Sequence, residues 1–88
     1  MVIKSDNIIA HYDLTEYGIE RKRIHFMNGL QLSYARGRHT ITKTETKGLD
    51  LGLYEVAVLQ SGDVVFASGY QTEHSICILI KYLGELKL

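Results

Sequence analysis

The middle of the chain alternates apolar and polar residues with a period of two, as strands with one buried face do. The apolar positions of this pattern are Ile24, Phe26, Leu30, Leu32 and Tyr34. Asn28-Gly29 interrupts the alternation and is a strong signal for a type I′ turn, in which both residues have positive φ. Residues 19–35 are therefore predicted to form a β-hairpin.

A second hairpin is predicted for residues 53–71. Tyr54, Val56 and Val58 share one face of its first strand. The turn is predicted at "QSGD", and "VVFASGY" is predicted to form the second strand. A helix then follows, with Thr72 as N-cap and Glu73 in the first turn, where a negative charge is favourable. Its apolar stripe recurs at helical spacing and consists of Ile76, Leu79, Ile80, Leu83 and Leu86.

These elements predict an α+β fold, a small antiparallel sheet of two hairpins covered by one C-terminal helix. The chain is one domain, divided into 1–18 (an N-terminal extension or short strand), 19–71 (the sheet) and 72–88 (the helix). "DLTEYG" is expected to be a turn or a single helical turn. Threonines alternate over residues 40–46 and predict a polar strand at a sheet edge.

The apolar part of the predicted helix is wider than one sheet face requires. Ile78 and Tyr82 lie off the centre of the stripe, and Cys77 adds further apolar surface. A helix that is apolar over much of its circumference is buried on more than one side. We therefore expect the protein to form a homo-oligomer, a dimer or a tetramer, in which another subunit buries the additional apolar surface of the helix.

Composition places the chain among ordinary globular domains and excludes several classes of partner. It has 88 residues, 45% hydrophobic and 23% charged, with a formal net charge of +0. This balance argues against affinity for duplex or single-stranded nucleic acid through bulk charge. The single Cys77 permits no intrachain disulfide and fits a reducing cytoplasm. No apolar run approaches the about 20 residues of a membrane span, and the N-terminus lacks the pattern of a secretory signal.

The four histidines do not form a recognisable metal or catalytic motif. His11, His25, His39 and His74 show neither H-x₃-H nor H-E-x-x-H spacing. The serine-glycine pairs are turn material, and no G-x-S-x-G sequence is present. The sequence therefore predicts no enzyme, no metal site and no cofactor.

The densest polar cluster of the chain is Arg36-Gly37-Arg38-His39. Arginine offers a planar, bidentate donor to phosphate, and glycine lets a ligand approach the backbone closely. Tyr34 and Tyr70 could supply faces for base stacking. A solvated hairpin loop explains the same residues, and on the residues alone both interpretations stay open.

The stretch "FMNGLQLSYARGRHT" resembles a motif of small phage-encoded proteins. That motif is an aromatic residue, x-Asn-Gly, an apolar residue, Ser and a Gly-containing loop, followed by a "YEVAV"-like strand and a short turn. The matching residues here are Phe26, Asn28, Gly29, Leu32, Ser33, Gly37, residues 54–58 and Gly62-Asp63. The similarity spans about residues 24–86, and the family's aromatic residue after the loop glycine is replaced here by Thr40 or Ile41.

Within these phage proteins, the sequence looks like the anti-CBASS sponges, oligomers that sequester a cyclic oligonucleotide defence signal without cleaving it. The resemblance implies immune evasion in the host cytoplasm. Two clusters meeting across a two-fold axis would match the two phosphates of a cyclic dinucleotide. The expected ligand-binding residues are Ser33, Tyr34, Arg36, Gly37, Arg38, His39, Thr40 and Tyr70. The alternative is a phage protein that inhibits a host or defence protein by direct binding, for example through the edge strand 40–46.

Overall fold

The computed structural model describes residues 7–16, 18–37 and 53–87. Its elements in chain order are β1 (Ile8–Asp13), β2 (Ile19–Phe26), β3 (Leu30–Gly37), β4 (Tyr54–Gln60), β5 (Asp63–Gln71) and α1 (Glu73–Glu85). The strands form one antiparallel sheet in the order β1-β2-β3-β4-β5. The predicted α+β class is confirmed. The described sheet has five strands rather than the four of two hairpins, because the N-terminal segment also pairs with β2. The predicted strand 40–46 lies outside the described residues.

One face of the sheet packs against α1 and forms the hydrophobic core. The helix contributes Ile76, Ile80 and Leu83, which are buried against the sheet. The sheet contributes the predicted alternating set, Ile24, Phe26, Leu30, Leu32, Tyr34, Tyr54, Val56 and Val58, all at most 4% exposed. Full burial of an aliphatic or phenylalanine side chain contributes roughly 1.5–3 kcal/mol. The apolar side chains of the strands therefore lie on the sheet face that the helix covers, where their burial stabilises the fold.

The loop between β2 and β3 has a different length and turn type from those predicted at Asn28-Gly29. Its loop has three residues, 27–29, and Gly29 N donates to Phe26 O at 3.1 Å. Gly29 has φ +92°, whereas Asn28 has no positive φ. The predicted type I′ turn at Asn28-Gly29 is therefore wrong; the loop is a turn followed by one left-handed glycine, the usual three-residue form.

The second hairpin has the type I′ geometry instead. Gln60 pairs with Asp63, which leaves a two-residue loop. Both loop residues, Ser61 (φ +53°) and Gly62 (φ +85°), are left-handed, as this turn type requires. The turn predicted at "QSGD" is confirmed.

The N-terminal turn joins β1 to β2 without a helical turn among its described residues. The backbones of Glu16 and Ile19 exchange hydrogen bonds of 3.0 and 2.9 Å. Thr15 N donates to Asp13 Oδ1 at 3.0 Å. Of the two alternatives for "DLTEYG", the structure thus has the hairpin turn.

The helix begins where the sequence predicts. Thr72 Oγ1 accepts from Ser75 N at 3.0 Å and satisfies one of the free N–H groups of the first turn. At the other end, Leu86 is the C-cap, so the helix ends at Glu85, before the end of the predicted helical region 72–88. Within the described part of the chain, the helix has neither the length nor the continuous hydropathy to span a membrane.

Candidate functional site

A polar cavity lies on the helix-covered face, at the end of the sheet near the start of α1. Its volume is about 120 Å³, and its lining residues are His11, Glu20, Lys22, Tyr34, Arg36, Tyr54 and Glu73. The strand pattern explains this cluster. The face that presents Ile24, Leu32 and Val56 to the core continues outward past the helix, and there its next positions carry polar groups.

Arg36 is one of the cations that line this polar pocket, and it is held on two sides. Its Nε lies 2.9 Å from Glu20 Oε2, and these two residues are direct cross-strand partners in β2 and β3. Its guanidinium carbon lies 4.6 Å from the ring centroid of Tyr54, at a cation–π distance. Both ion-pair partners remain about one-third exposed, at 28% and 35%. The guanidinium is therefore oriented but still reachable from solvent.

Two tyrosines form the inner wall of the polar pocket. The rings of Tyr34 and Tyr54 meet edge to face, with centroids 5.6 Å apart. Burial, reinforced by the Glu20 charge, raises the pKa of Tyr34 to about 12. Burial and a hydrogen bond with Glu20 also raise the pKa of Tyr54, whose Oη lies 3.4 Å from Glu73 Oε1. Both phenols therefore keep their protons at neutral pH and remain potential donors.

The opposite face of the sheet carries a second groove of about 250 Å³. Its floor consists of small side chains, and its lining residues are Arg21, Ser33, Ala35, Glu55, Val56, Ala57, Val64, Ala67 and Ser68. Ser33 is 8% exposed. Arg23, next to Ser33 across the ladder, has a buried Nε without a hydrogen-bond partner in the described residues. The sheet itself therefore separates Ser33 from Tyr34 and Arg36, which sequence analysis had grouped with it.

Gly37 has a structural explanation. Its φ is +126°, and a Cβ built there would overlap the carbonyl oxygen of Gly18. Only glycine lets β3 approach the start of β2 this closely. The glycine of the "RGR" sequence is thus required by strand pairing, independently of any ligand.

The remaining expected site residues lie wholly or partly outside the described residues. Arg38, His39 and Thr40 lie outside the described residues. The backbone of Tyr70 belongs to β5, but its side chain also lies outside what the structure describes. Within the described ranges, no group of three or more His, Cys, Asp and Glu residues is arranged to hold a metal ion.

Five residues of the polar pocket were missed from the sequence: His11, Glu20, Lys22, Tyr54 and Glu73. The signal for Glu20 is the hairpin register, which places it opposite Arg36 once the loop has three residues. Tyr54 could have been found because it begins the apolar alternation of β4 at the open end of the sheet. Glu73 is the first residue of α1, and only the packing of the helix brings it near Tyr54.

No protein-family model, curated protein or solved structure matches this chain.

Proposed function

We propose that this protein binds and sequesters a phosphate-bearing cyclic oligonucleotide without cleaving it, in the host cytoplasm, as the resemblance to phage sponges implies. The chemical support comes from the polar pocket defined above. There, an arginine that is about one-third exposed is set against an aromatic face beside two protonated phenols. Guanidinium and phenol groups all donate hydrogen bonds, which is what phosphate oxygens accept.

The single observation that carries the proposal is the position of Arg36 over Tyr54. A guanidinium fixed in one orientation loses less conformational freedom when it binds an anion than a mobile one does. Lys22 lines the same pocket and adds a second positive charge. The cavity of about 120 Å³ is smaller than the roughly 300–1,000 Å³ of pockets that enclose a whole small ligand. It therefore suits one phosphate group, with the rest of the ligand outside.

Glu20 competes with a phosphate for the same guanidinium. Its carboxylate already occupies Nε at 2.9 Å, so an anion must displace it or share the guanidinium with it. This makes a specific prediction. Glu20→Gln keeps the shape of the side chain but removes the competing charge, and it should tighten ligand binding.

The test is isothermal titration of the pure protein with a panel of cyclic di- and trinucleotides. Arg36→Ala should abolish binding, Arg36→Lys should weaken it, and Glu20→Gln should strengthen it. Arg21→Ala is the matched control, because Arg21 lies on the opposite face of the sheet. Binding by none of the panel, or equal losses in the Arg36 and Arg21 variants, would overturn the proposal.

Sequestration is distinguished from catalysis by the fate of the bound molecule. After incubation, the protein is heated and the released nucleotide is identified by mass spectrometry. The proposal requires that the cyclic nucleotide is recovered intact. Recovery of a linear or shortened product would show that the protein is an enzyme.

A further inference from the structure

The edge strand β5 exposes an unusual amount of apolar surface. Its successive residues Val64, Val65 and Phe66 are 60%, 55% and 48% exposed. β5 is the last strand of the sheet, and no strand among residues 7–16, 18–37 and 53–87 pairs with its outer side. Natural edge strands are usually short or carry lysine or proline, which prevent pairing with another chain. This one has nine residues and contains neither.

The exposed apolar surface continues from β5 onto the helix. A groove of about 370 Å³ lies between them, and its lining residues include Val65, Phe66, Leu79, Tyr82, Leu83 and Leu86. Tyr82 is 59% exposed, and Ile78, one turn earlier on α1, is 56% exposed. A strand edge and a helix flank are thus left uncovered on the same side of the molecule.

We infer that a second copy of this chain covers this surface, with the two β5 strands paired antiparallel about a two-fold axis. The ladder between β4 and β5 is regular from Phe66 to Ser68, with a register shift on either side, so we place the axis at Ala67. Residues 64–71 carry no acidic or basic side chain. With this axis, Asp63 faces Gln71 of the other copy, so no like charges oppose each other.

One symmetry operation then pairs the two exposed edges and brings β5 of the other copy beside the uncovered helix flank. A two-fold axis perpendicular to the sheet makes a continuous ten-stranded sheet and keeps both helices on the same face. Each helix turns its Ile78–Tyr82 flank toward the other across the shared strands. Isologous contacts of this kind are the commonest way in which soluble proteins form dimers, and large exposed apolar patches commonly mark such sites.

The dimer is independent of the proposed ligand site. Arg36 lies on β3, two strands inside β5. At about 4.8 Å per strand, the two β3 strands of the dimer lie about 24 Å apart. The two Arg36 side chains therefore serve separate pockets, and each protomer binds its own ligand, in contrast to the shared site considered from the sequence.

The first experiment measures the mass of the wild-type protein by light scattering after size exclusion, together with amide hydrogen exchange. A dimer is expected, with protection that increases with protein concentration for those amides of residues 65–68 that point away from β4. A monomer in which these amides exchange rapidly would overturn the inference. So would a monomer in which they are protected, because another part of the same chain would then cover the edge.

The second experiment uses charge. Phe66→Lys and Phe66→Glu each place two like charges near the axis, so each variant should be a folded monomer. Mixing the two variants should restore a dimer that contains one copy of each, detected by native mass spectrometry. Ile9→Lys is the matched control, because Ile9 is 68% exposed on β1, the other edge strand. A dimer that survives both Phe66 substitutions but is lost in Ile9→Lys would place the interface elsewhere.

Discussion

The side-chain amide of Asn28 donates to the carbonyl oxygens of Leu83 and Leu86, at 2.7 and 2.9 Å. The last carbonyls of a helix lack the usual partner one turn further along. Leu83 O accepts from the C-cap Leu86 N at 3.4 Å, and a loop between two strands supplies a further donor to both carbonyls. The Oδ1 of the same side chain accepts from Leu30 N at 3.0 Å. One residue thus closes the first hairpin and fixes the end of α1 against it.

Asn28→Ala should destabilise the fold by about 1–3 kcal/mol, because it removes the side-chain donor to the part-buried Leu86 carbonyl and one of the two donors to the Leu83 carbonyl. Asn28→Gly should cost as much, since Asn28 has no positive φ that glycine would relieve. Asn28→Asp should be worse, because a carboxylate cannot donate and its charge lies at the negative end of the helix dipole. Urea unfolding of the three variants measures these differences. A neutral Asn28→Gly would show that the residue is needed only for the turn.

The four strands of the two hairpins, the helix and the side chains of the core could be predicted from periodicity, because alternation and helical spacing determine which face is apolar. The turn type was missed because the Asn-Gly signal was considered alone. A two-residue loop at Asn28-Gly29 would pair Ile24 with Ser33 and place Ile24 and Leu32 on opposite faces. Since a one-residue slip moves every side chain to the other face, burying both residues together requires the three-residue loop that the structure has.

Gly37→Ala should destabilise the protein strongly, by about 3 kcal/mol, because both its φ of +126° and the adjacent Gly18 carbonyl exclude a Cβ. Gly62→Ala is the matched control. Gly62 also has positive φ, but a Cβ there would meet nothing within 4 Å, so only the left-handed conformation costs about 1–2 kcal/mol. Thermal unfolding of both variants tests this difference. Equal costs would mean that the contact with Gly18 relaxes freely.

The candidate site was harder to predict from the sequence than the fold. Sequence proximity grouped Ser33 with Tyr34 and Arg36, whereas the pleat of β3 turns Ser33 to the other face. The carboxylate partners of the polar pocket come from β2 and α1, and their approach depends on register and helix packing. Local composition identifies a charged residue such as Arg36, but it contains no information about which distant side chain pairs with it.

Stability should fall at high pH because of the buried tyrosines. The pKa of Tyr34 rises from 10.0 to about 12 in the folded protein. Between about pH 10 and 12, the unfolded chain therefore loses this proton while the folded chain keeps it. The stabilisation is complete below pH 10 and is lost as the pH rises toward 12. Tyr34→Phe should reduce this decline in the free energy of unfolding, measured by urea denaturation across alkaline pH. Tyr82→Phe, which removes an exposed phenol, is the control, and equal slopes for both variants would contradict the assignment.

Two isoleucines on the helix should respond very differently to truncation. Ile76 is 0% exposed in the core, so Ile76→Ala should cost about 2–5 kcal/mol through lost contacts and a cavity. Ile78 is 56% exposed, so Ile78→Ala should change the stability of the isolated protomer by only about 0.5 kcal/mol. Unfolding at several protein concentrations separates the two effects, because contacts between copies contribute more as concentration rises. If Ile78 lies at the dimer interface, the cost of Ile78→Ala should grow with concentration while that of Ile76→Ala persists at every dilution. A concentration-independent cost for Ile78→Ala would show that its role is confined to one protomer.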